Sequence, residues 1–454
     1  MLFRRFVSKG LAHYSYLIGD RDRAVVIDPR RDCEVYIETA VSEGLQLTHV
    51  LETHRNEDYV TGSTELAART GATVLHSAYD GLPYAYGEPI EDGSAFQIGR
   101  LRLVALHTPG HTPGHMSYVL HDALGAPWMV FTGDTLFAGE VGRTDFMGIE
   151  NLPKMTGLLY DSLFEKLLPL GDGVLVCPAH GAGSVCGSGI ADRFWTTIGL
   201  ERQLNPRLQF TNRDAFIQSV GRVLPRAPYF HKMEELNLTG APLLGRLPVA
   251  KPLSALEFAE LSPDAWVVDT RMPLSFAAAH VPGAVALWEK ELPTYAGWFL
   301  DYDRPVLLVG DQPDRSTVIR YLVRLGFDQI VGYLVDGMLG WHRAGLESCS
   351  LRTVTVQQLC HLLDDDQDPA ILDVRSAEEV ATEEIPGAQH IHVKELPGRM
   401  GEIPEDREVY VFCGSGVRSV IVSSLMRRAG RENMTVVLGG LSGWNSASCP
   451  LSFD

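Results

Sequence analysis

The sequence predicts an α/β protein of several domains, in which layered sheets carry helices on their faces. At about 150 residues per domain, the 454 residues are enough for about three domains. In the second half, short apolar runs alternate with helical segments, which is typical of parallel sheets. In the first half, several apolar runs end directly at histidine or aspartate, where the loops of a layered fold converge.

The composition of the chain argues against two classes of binding partner, nucleic acids and membranes. Hydrophobic residues make up 45% of the chain, as in ordinary globular proteins, and the formal net charge is −18. An acidic surface repels phosphate backbones, so we expect no nucleic-acid partner. No apolar run approaches the roughly 18 residues that span a bilayer, so we expect no membrane partner. The segment Met1–Gly10 lacks the apolar stretch of a leader and is interpreted as a first strand.

The cysteines are scattered along the chain. Their number, seven, is odd, and no two of them have zinc-ribbon spacing. We therefore expect no disulfide framework and predict a reducing, cytoplasmic location. The seven are Cys33, Cys177, Cys186, Cys349, Cys360, Cys413 and Cys449.

The second half contains one unit twice. Val267–Arg271 and Leu372–Arg375 share a pattern of apolar residue, Asp, any residue and Arg, and Pro-Gly-Ala begins eleven residues beyond each Arg. The pair Arg315–Ser316 recurs as Arg418–Ser419, 103 residues later. A repeat of this length indicates two domains of one fold rather than a solenoid. The predicted domains are 1–235, 248–347 and 351–454, with a linker at 236–247.

Four apolar runs of the first half end at loops that carry histidine or aspartate. Such loops meet at one edge of a layered sheet, so we expect these side chains to lie together. Converging imidazole and carboxylate groups are typical metal ligands. The runs are 47–53, 101–106, 128–131 and 173–177, and the loop residues are His54, His111, Asp134 and His180. Comparable runs in the repeated domains are 306–309 and 409–412.

Four short motifs surround these loop residues in a fixed order. They are Thr53-His54-Arg-Asn56-Glu-Asp58-Tyr59, Thr108-Pro-Gly-His111, Thr132-Gly-Asp134 and Pro178-Ala-His180. In this order the motifs resemble those of the metallo-β-lactamase superfamily over about residues 1–235. The resemblance implies an αββα sandwich for this part of the chain.

Two positions depart from the hydrolases of that superfamily, which carry His-x-His-x-Asp-His and hold two metals. Asn56 stands where the second histidine would be, and Tyr59 stands where the last would be. Amide and phenol groups are poor replacements for imidazole, so a two-zinc site lacks ligands. The remaining His54, His111 and Asp134 form the two-histidine, one-carboxylate set of non-haem Fe(II) oxygenases. The persulfide dioxygenases of the superfamily use these three positions, and this sequence resembles them.

The resemblance implies one Fe(II) per chain and the oxidation of a low-molecular-weight thiol persulfide by O2 to sulfite and thiol. Glutathione persulfide is one substrate of this class, and coenzyme A, bacillithiol or polysulfide species are alternatives. We expect Asp58 and His180 beside the metal, with ligation by His180 as an alternative. We expect Tyr59 and Arg143 to contact substrate, the alternatives being a packing role for Tyr59 and an ion pair between Arg143 and Asp145.

A second reactive group is predicted near the C-terminus. In Val411-Phe-Cys413-Gly-Ser-Gly-Val-Arg418, a cysteine ends a strand, a glycine-rich loop follows and a helix begins. Loop amides and a helix N-terminus stabilise a thiolate, so Cys413 is expected to be the nucleophile. Arg418 offers a fork of donors for a sulfonate-like group. The loop residues expected to bind substrate are Gly414, Ser415, Gly416 and Val417.

The motif around Cys413 resembles that of the rhodaneses, which are sulfurtransferases. Four residues separate Cys413 from Arg418, whereas the related phosphatases have five, which favours sulfur over phosphate. The first copy has Gly310 or Asp311 at the cysteine position. We therefore expect it to be non-catalytic and to serve as a spacer, a docking surface or a dimerisation element. Asp269 and Arg271, like their counterparts in the second copy, are expected to form structural ion pairs.

The whole chain thus resembles a fusion of a persulfide dioxygenase with tandem rhodanese domains. The expected partners are a thiol persulfide, thiosulfate and O2, and a homo-oligomer is an expectation from the family. One alternative is a metal-dependent thioester hydrolase of the glyoxalase II type with a rhodanese tail. Another is a sulfur-carrier or scaffold protein.

Overall fold

The computed structural model describes residues 1–187, 189–210, 212–364 and 369–446. These residues form two compact units. The first is Met1–Leu247 together with Val323–Gly326, and the second begins at Pro248 and holds the other described residues. Within the described ranges, no helix is both long enough and apolar enough to cross a membrane.

The first unit contains two six-stranded sheets, ordered β1-β2-β3-β4-β5-β6 and β12-β11-β10-β9-β8-β7. Its strands are β1 (Leu2–Ser8), β2 (His13–Asp20), β3 (Arg23–Ile27), β4 (Gln46–Leu51), β5 (Thr73–Ser77), β6 (Glu88–Ile90), β7 (Ala95–Ile98), β8 (Leu101–His107), β9 (Met116–His121), β10 (Pro127–Gly133), β11 (Leu175–Pro178) and β12 (Thr196–Thr197). Its helices are α1 (Glu34–Ser42), α2 (Ser63–Thr70), α3 (Leu152–Asp161), α4 (Ile198–Leu204), α5 (Arg213–Val220) and α6 (Phe230–Thr239), and a π-helical stretch, Ser162–Leu167, follows α3.

Three hydrophobic clusters define four layers in this unit. Residues of both sheets, including Ile27 and Phe131, form the central cluster between them. Tyr36 of α1 packs with Val26 on the outer face of the first sheet. Leu159 of α3 packs on the outer face of the second sheet. Helix, sheet, sheet and helix follow one another, so the αββα sandwich implied by the resemblance is confirmed.

Parallel pairing brings the functional loops together at one edge of each sheet. Ile27 of β3 lies opposite Leu51 of β4, so the segments that follow these strands are neighbours. Phe131 of β10 lies opposite Cys177 of β11 in the same way. The strands predicted at 47–53, 101–106, 128–131 and 173–177 correspond to β4, β8, β10 and β11, with ends that differ by a few residues.

The second unit contains two five-stranded, all-parallel sheets, ordered β13-β17-β16-β14-β15 and β18-β22-β21-β19-β20. The strands are β13 (Lys251–Leu253), β14 (Trp266–Asp269), β15 (Val285–Ala286), β16 (Val306–Val309), β17 (Ile330–Leu334), β18 (Arg352–Thr355), β19 (Ala370–Asp373), β20 (Gln389–His390), β21 (Val409–Phe412) and β22 (Met434–Leu438). The helices are α7 (Ala255–Leu261), α8 (Pro273–Ala278), α9 (Leu292–Phe299), α10 (Ser316–Arg324), α11 (Gly337–Arg343), α12 (Val356–Asp364), α13 (Ala377–Thr382), α14 (Leu396–Arg399), α15 (Val417–Arg428) and α16 (Gly440–Ser446).

The two sheets have the same strand order, which is the structural form of the sequence repeat. The strands predicted at 306–309 and 409–412 are β16 and β21, with the predicted ends. The copies also share one hydrophobic cluster, in which Val420 of α15 and Val436 of β22 pack with first-copy residues such as Phe276. The first copy therefore supports the second through a common core.

The predicted linker is ordered within the first unit. Residues 236–239 complete α6, and the buried Asn237 side chain donates hydrogen bonds to the carbonyl oxygens of Asn56 (2.6 Å) and Tyr59 (2.7 Å). The compact units divide after Leu247.

Among the cysteines, Cys360 is disulfide-bonded, and the scatter of the cysteines along the sequence did not predict this. The last residues of the predicted domain 351–454, including Cys449, lie outside the described ranges.

Candidate metal centre and sulfur-transfer loop

Loops that follow strands of both sheets deliver the histidines and the aspartate to one place. His54 follows β4, His111 lies between β8 and β9, and Asp134 follows β10 directly. The turn into Asp134 requires Gly133, because its φ is +49° and a Cβ there would lie 2.4 Å from the His115 ring. Gly142 is required as well, since a Cβ there would lie 1.9 Å from the Asp134 carbonyl oxygen.

His54, His111 and Asp134 form a buried cluster that could hold a metal ion. The Asp134 Oδ2 atom lies 3.9 Å from His54 Nε2 and 3.5 Å from His111 Nε2. The two imidazole rings are nearly perpendicular, with centroids 5.0 Å apart. All three side chains are fully shielded from solvent.

The hydrogen bonds of these residues leave three acceptor atoms free to face a cation. His54 Nδ1 lies 2.8 Å from Thr53 Oγ1, and that hydroxyl donates to Asp28 Oδ2. His111 Nδ1 donates to the carbonyl oxygen of Arg143 at 2.9 Å. The opposite atoms, His54 Nε2, His111 Nε2 and Asp134 Oδ2, are buried without a hydrogen-bond partner. Buried unpaired acceptors are costly unless a cation satisfies them, so the cluster fits a metal ion.

His180 bridges two carboxylates beside the cluster. Its Nδ1 lies 2.7 Å from Asp134 Oδ1 and its Nε2 lies 2.8 Å from Asp58 Oδ2. Burial lowers the pKa of His180, but the charges of Asp134 and Asp58 outweigh it and raise that pKa well above its usual value. Each ring nitrogen of His180 thus faces a carboxylate oxygen, which fixes the ring between Asp134 and Asp58.

Asn56 and Tyr59 occupy the positions where hydrolases of the superfamily carry histidines. The Asn56 amide donates to the carbonyl oxygen of His54, and its Oδ1 atom has no partner. The Tyr59 hydroxyl is also buried without a partner, and its ring packs against His13 with centroids 3.9 Å apart. Burial raises the pKa of Tyr59 well above its usual value, so the phenol stays protonated and can donate.

The Arg143 side chain is hydrogen-bonded to Asp145 and to backbone carbonyl oxygens. Its Nε and Nη2 atoms donate to the two oxygens of Asp145 at 2.7 and 2.8 Å, and Nη2 also donates to the carbonyl oxygen of Leu224. The side chain is therefore engaged in the ion pair that the sequence offered as the alternative to substrate binding. Its backbone carbonyl oxygen is the part that reaches the centre, where it orients His111.

Sequence reasoning missed several groups that line the centre. Glu57 is buried, with its Oε1 atom 3.0 Å from His111 Nε2. Cys186 offers a sulfur within 4.8 Å of ligand atoms of Glu57 and His111. Burial raises the pKa of the Cys186 thiol well above its usual value. The motif around His54 does not single out Glu57, and the cysteines are scattered along the sequence. Only the fold shows that Glu57 and Cys186 lie beside the centre.

The second candidate site is the loop between β21 and α15. The Cys413 Sγ atom is buried and accepts a hydrogen bond from the Gly416 amide at 3.0 Å. Gly416 has a φ of +98°, a conformation that turns the loop amides toward the sulfur and favours glycine. Gly440 packs on the same loop, where a Cβ would lie 2.0 Å from the Cys413 carbonyl oxygen.

Arg418 is held by a carboxylate of the second copy. Its two terminal nitrogens lie 2.5 and 2.6 Å from the Glu379 oxygens, while 21% of the Arg418 side chain and 40% of the Glu379 side chain stay exposed. Glu379 also completes the capping box of α13 with Ser376, which fixes its position. The Arg418 guanidinium group, which we expected to bind a sulfonate-like anion, is thus already ion-paired with the Glu379 carboxylate.

We expect Glu379→Gln to lower the KM for thiosulfate severalfold, with kcat changed less. The substitution removes the negative charge that competes with the anion for Arg418, and a half-exposed ion pair is worth up to about 1 kcal/mol. Steady-state sulfurtransferase assays of the full chain measure both constants. Glu378→Gln is the matched control, because it removes an acid from the same turn of α13 without touching Arg418. An unchanged KM in Glu379→Gln would show that the pair does not limit anion binding.

The first copy lacks a nucleophile but contributes groups near Cys413. Asp311 and Gln312 border a cavity of about 250 Å³ at the position that corresponds to the Cys413 loop. Tyr295 and Glu291, at α9, are close enough for their charges to interact with that of Arg418. Burial raises the pKa of Glu291 above its usual value, although the charge of Arg418 lowers it.

The chain matches two described families. Residues 9–180 match the "Metallo-beta-lactamase superfamily", and residues 254–344 and 355–447 match the "Rhodanese-like domain". The crystal structure of a metallo-beta-lactamase from Staphylococcus aureus subsp. aureus COL is 30% identical, with a TM-score of 0.66 over 74% of this chain and 98% of that chain.

Two curated relatives resemble the first part of the chain. The mitochondrial persulfide dioxygenase ETHE1 of Bos taurus is 35% identical over 216 residues, which are 46% of this chain and 76% of that protein. The hydroxyacylglutathione hydrolase GloC of Haemophilus influenzae is 30% identical over 43% of this chain and 91% of that protein. The first relative is an oxygenase and the second is a hydrolase. The overall similarity therefore does not choose between the two activities, and the metal ligands must be compared.

Proposed function

The chain belongs to the metallo-beta-lactamase superfamily and continues into two rhodanese-like domains, and from this premise we propose that it is an iron-dependent persulfide dioxygenase coupled to a sulfurtransferase. The proposed substrate is a low-molecular-weight thiol persulfide such as glutathione persulfide. The products are sulfite and the free thiol. One observation carries the proposal: His54, His111 and Asp134 form a buried two-histidine, one-carboxylate cluster, while Asn56 and Tyr59 stand where the two-metal hydrolases carry histidines.

The residues of the second-metal position support this choice. Asn56 and Tyr59 lack imidazole nitrogens, and both nitrogens of His180 lie within hydrogen-bond distance of carboxylate oxygens. Zinc hydrolases of this kind use a bridged metal pair to generate their nucleophile. A two-histidine, one-carboxylate set suits a single Fe(II), which supplies the means to activate O2 when it is bound.

In the proposed reaction, R-S-SH, O2 and H2O give R-SH and sulfurous acid, so that the outer sulfur is oxidised and oxygen is reduced. His54, His111 and Asp134 would hold the metal. Thr53 and the Arg143 carbonyl oxygen fix the ring orientations, which preserves the ligand geometry between turnovers. Burial of the cluster excludes bulk water and protects the reacting sulfur.

Beside this cluster, the His180 ring lies between the carboxylates of Asp134 and Asp58. His180 keeps its two protons between Asp134 and Asp58, so Asp134 stays an anion suited to a cation. Burial raises the pKa of Asp134, but the charge and the hydrogen bond of His180 outweigh it and hold that pKa well below its usual value. The protonated Tyr59 hydroxyl is our candidate donor to substrate.

The proposed sulfurtransferase step begins with the Cys413 thiolate. The sulfur anion attacks the outer sulfur of thiosulfate, the S–S bond of thiosulfate breaks and sulfite leaves with the electron pair. The Cys413 persulfide then passes its outer sulfur to a thiol, which becomes the thiol persulfide. The amides of Gly414, Ser415, Gly416 and Val417 are proposed to stabilise the anionic sulfur. This product is the substrate proposed for the metal centre.

The chief alternative is a two-zinc thioester hydrolase, which the resemblance to GloC favours. Metal content separates the two functions. We expect the purified chain to bind about one iron and little zinc, because Asn56 and Tyr59 replace two histidines of the two-metal site. Elemental analysis after anaerobic purification gives both stoichiometries. Two zinc ions per chain, together with hydrolysis of S-lactoylglutathione, would support the hydrolase instead.

A further inference from the structure

A cavity lies between the two copies of the second unit. Its volume is about 610 Å³, which is typical of sites for small organic molecules. Arg304, just before β16, and Arg428, the last residue of α15, supply its charged groups. No acidic residue is among the lining residues that the structure describes. The apolar part of the lining consists of Ala259, Pro263, Val281, Pro282 and Trp341.

The two arginines lie against one tryptophan ring. The guanidinium carbon of Arg428 lies 4.2 Å from the centroid of the Trp266 ring, and that of Arg304 lies 5.8 Å from it. These cation–π contacts hold the guanidinium groups in place but supply no negative charge. The Trp266 Nε1 atom is buried and has no hydrogen-bond partner within the described part of the chain. Three groups that can only donate hydrogen bonds are thus gathered around this ring.

The charges of the two arginines are not balanced by a carboxylate. Arg428 Nη1 donates to the carbonyl oxygen of Gly283 at 2.5 Å, but neither Arg304 nor Arg428 forms an ion pair with any residue in the described ranges. Burial, followed by the charge of Arg304, lowers the pKa of Arg428, and the charge of Asp301 offsets this only in part. Two like charges at one cavity repel each other, and an anion that binds both would relieve the repulsion.

We propose that this cavity binds an organic phosphate whose anionic head group is held by Arg304 and Arg428. A guanidinium group presents a planar fork of N–H donors that matches the oxygens of a phosphate. A phosphate monoester carries a charge close to −2 near neutral pH, so one head group balances both arginines. An inorganic ion would fill little of the cavity, so we assign the ligand an organic body that packs on the apolar lining.

The proposed site is separate from the two reaction centres. None of the described lining residues belongs to the Cys413 loop or to the metal cluster. The inference therefore does not rest on the proposed function. It gives the first copy, which lacks a nucleophile, a part in binding a ligand.

Calorimetric titration of the full-length chain with phenyl phosphate tests the proposal. We expect the parent to bind one phenyl phosphate per chain at this cavity. Arg304→Gln and Arg428→Gln should each weaken binding by about tenfold or more, because each removes charge-assisted hydrogen bonds to the head group. Inorganic phosphate, which has the head group without the body, should bind more weakly than phenyl phosphate. Benzyl alcohol, which has the body without the charge, should not bind.

Arg427→Gln is the matched control, because Arg427 is the neighbouring arginine of α15 and contacts Glu432 and the Ser350 carbonyl oxygen instead. We expect its affinity for phenyl phosphate to equal that of the parent. A parent chain without saturable binding would overturn the proposal. So would equal affinities in the parent, Arg304→Gln and Arg428→Gln, which would place the anion elsewhere, for example at the Cys413 loop. Equal affinities of the parent for inorganic phosphate and phenyl phosphate would overturn the assignment of an organic ligand.

Arg304→Gln also covers the case in which Arg428→Gln fails to fold. Arg304 is exposed and makes no hydrogen bond within the described ranges, so its replacement should leave the fold intact. In that case an unchanged affinity for phenyl phosphate in Arg304→Gln would by itself overturn the proposal.

Discussion

Replacing Cys413 by serine is expected to reduce sulfur transfer from thiosulfate to glutathione by about a thousandfold or more. The hydroxyl of serine is a far weaker nucleophile than a thiolate and cannot carry a sulfane sulfur as a persulfide. The substitution changes one buried atom, so the loop and its amides should keep their positions. Release of sulfite from thiosulfate in the presence of the thiol measures the loss.

The same variant also tests the coupling of the two activities. With glutathione persulfide supplied directly, we expect Cys413→Ser to consume O2 at the parent rate. With thiosulfate and glutathione supplied instead, O2 uptake should disappear, because no persulfide forms. Cys349→Ser is the control, since Cys349 is a free cysteine of the same unit outside the loop. Normal O2 uptake by Cys413→Ser from thiosulfate and thiol would refute the coupling.

Replacing His111 by alanine is expected to remove the bound metal and to lower O2 uptake from persulfide by more than about a hundredfold. The substitution deletes a ligand and leaves Asp134 and His54 with too few partners to hold the ion. Sulfur transfer through Cys413 should stay at the parent rate, because the second unit carries its own nucleophile. Iron analysis and an oxygen electrode measure the two losses.

His121→Ala is the control for the His111 variant. His121 ends β9 and belongs to no cluster of metal-ligating groups found among the described residues. Its replacement should leave the iron content and O2 uptake near those of the parent. Retention of stoichiometric iron by His111→Ala would show that the ion lies elsewhere.

The order of the helices and strands could be predicted because the sequence shows the hydrophobic periodicity of each element and the repeat of the second half. The strands 306–309 and 409–412 were predicted to the residue, since buried parallel strands are short apolar runs bounded by polar loops. Other strand ends differ by a few residues because hydrogen-bond register sets them. The sequence also indicated which loops converge, since parallel strands present their ends at one edge.

The partners of individual side chains could not be predicted in this way. Arg143 and Arg418 both looked available for anions, yet Asp145 and Glu379 already engage them. Glu379 lies 39 residues from Arg418 in the chain, so no local pattern connects the two. Glu57 could not be predicted for a similar reason. Its contact with His111, at 3.0 Å between Oε1 and Nε2, forms only when the fold brings the two loops together.

The most direct measurement is O2 uptake by the iron-loaded chain with glutathione persulfide as the substrate, with sulfite measured in the same samples. The proposed function predicts one O2 consumed and one sulfite formed for each persulfide, as the balanced reaction requires. Uptake should depend on the bound iron and fall away when it is removed. An iron-loaded chain that consumes no O2 with any thiol persulfide, while its zinc-loaded form hydrolyses S-lactoylglutathione, would contradict the account.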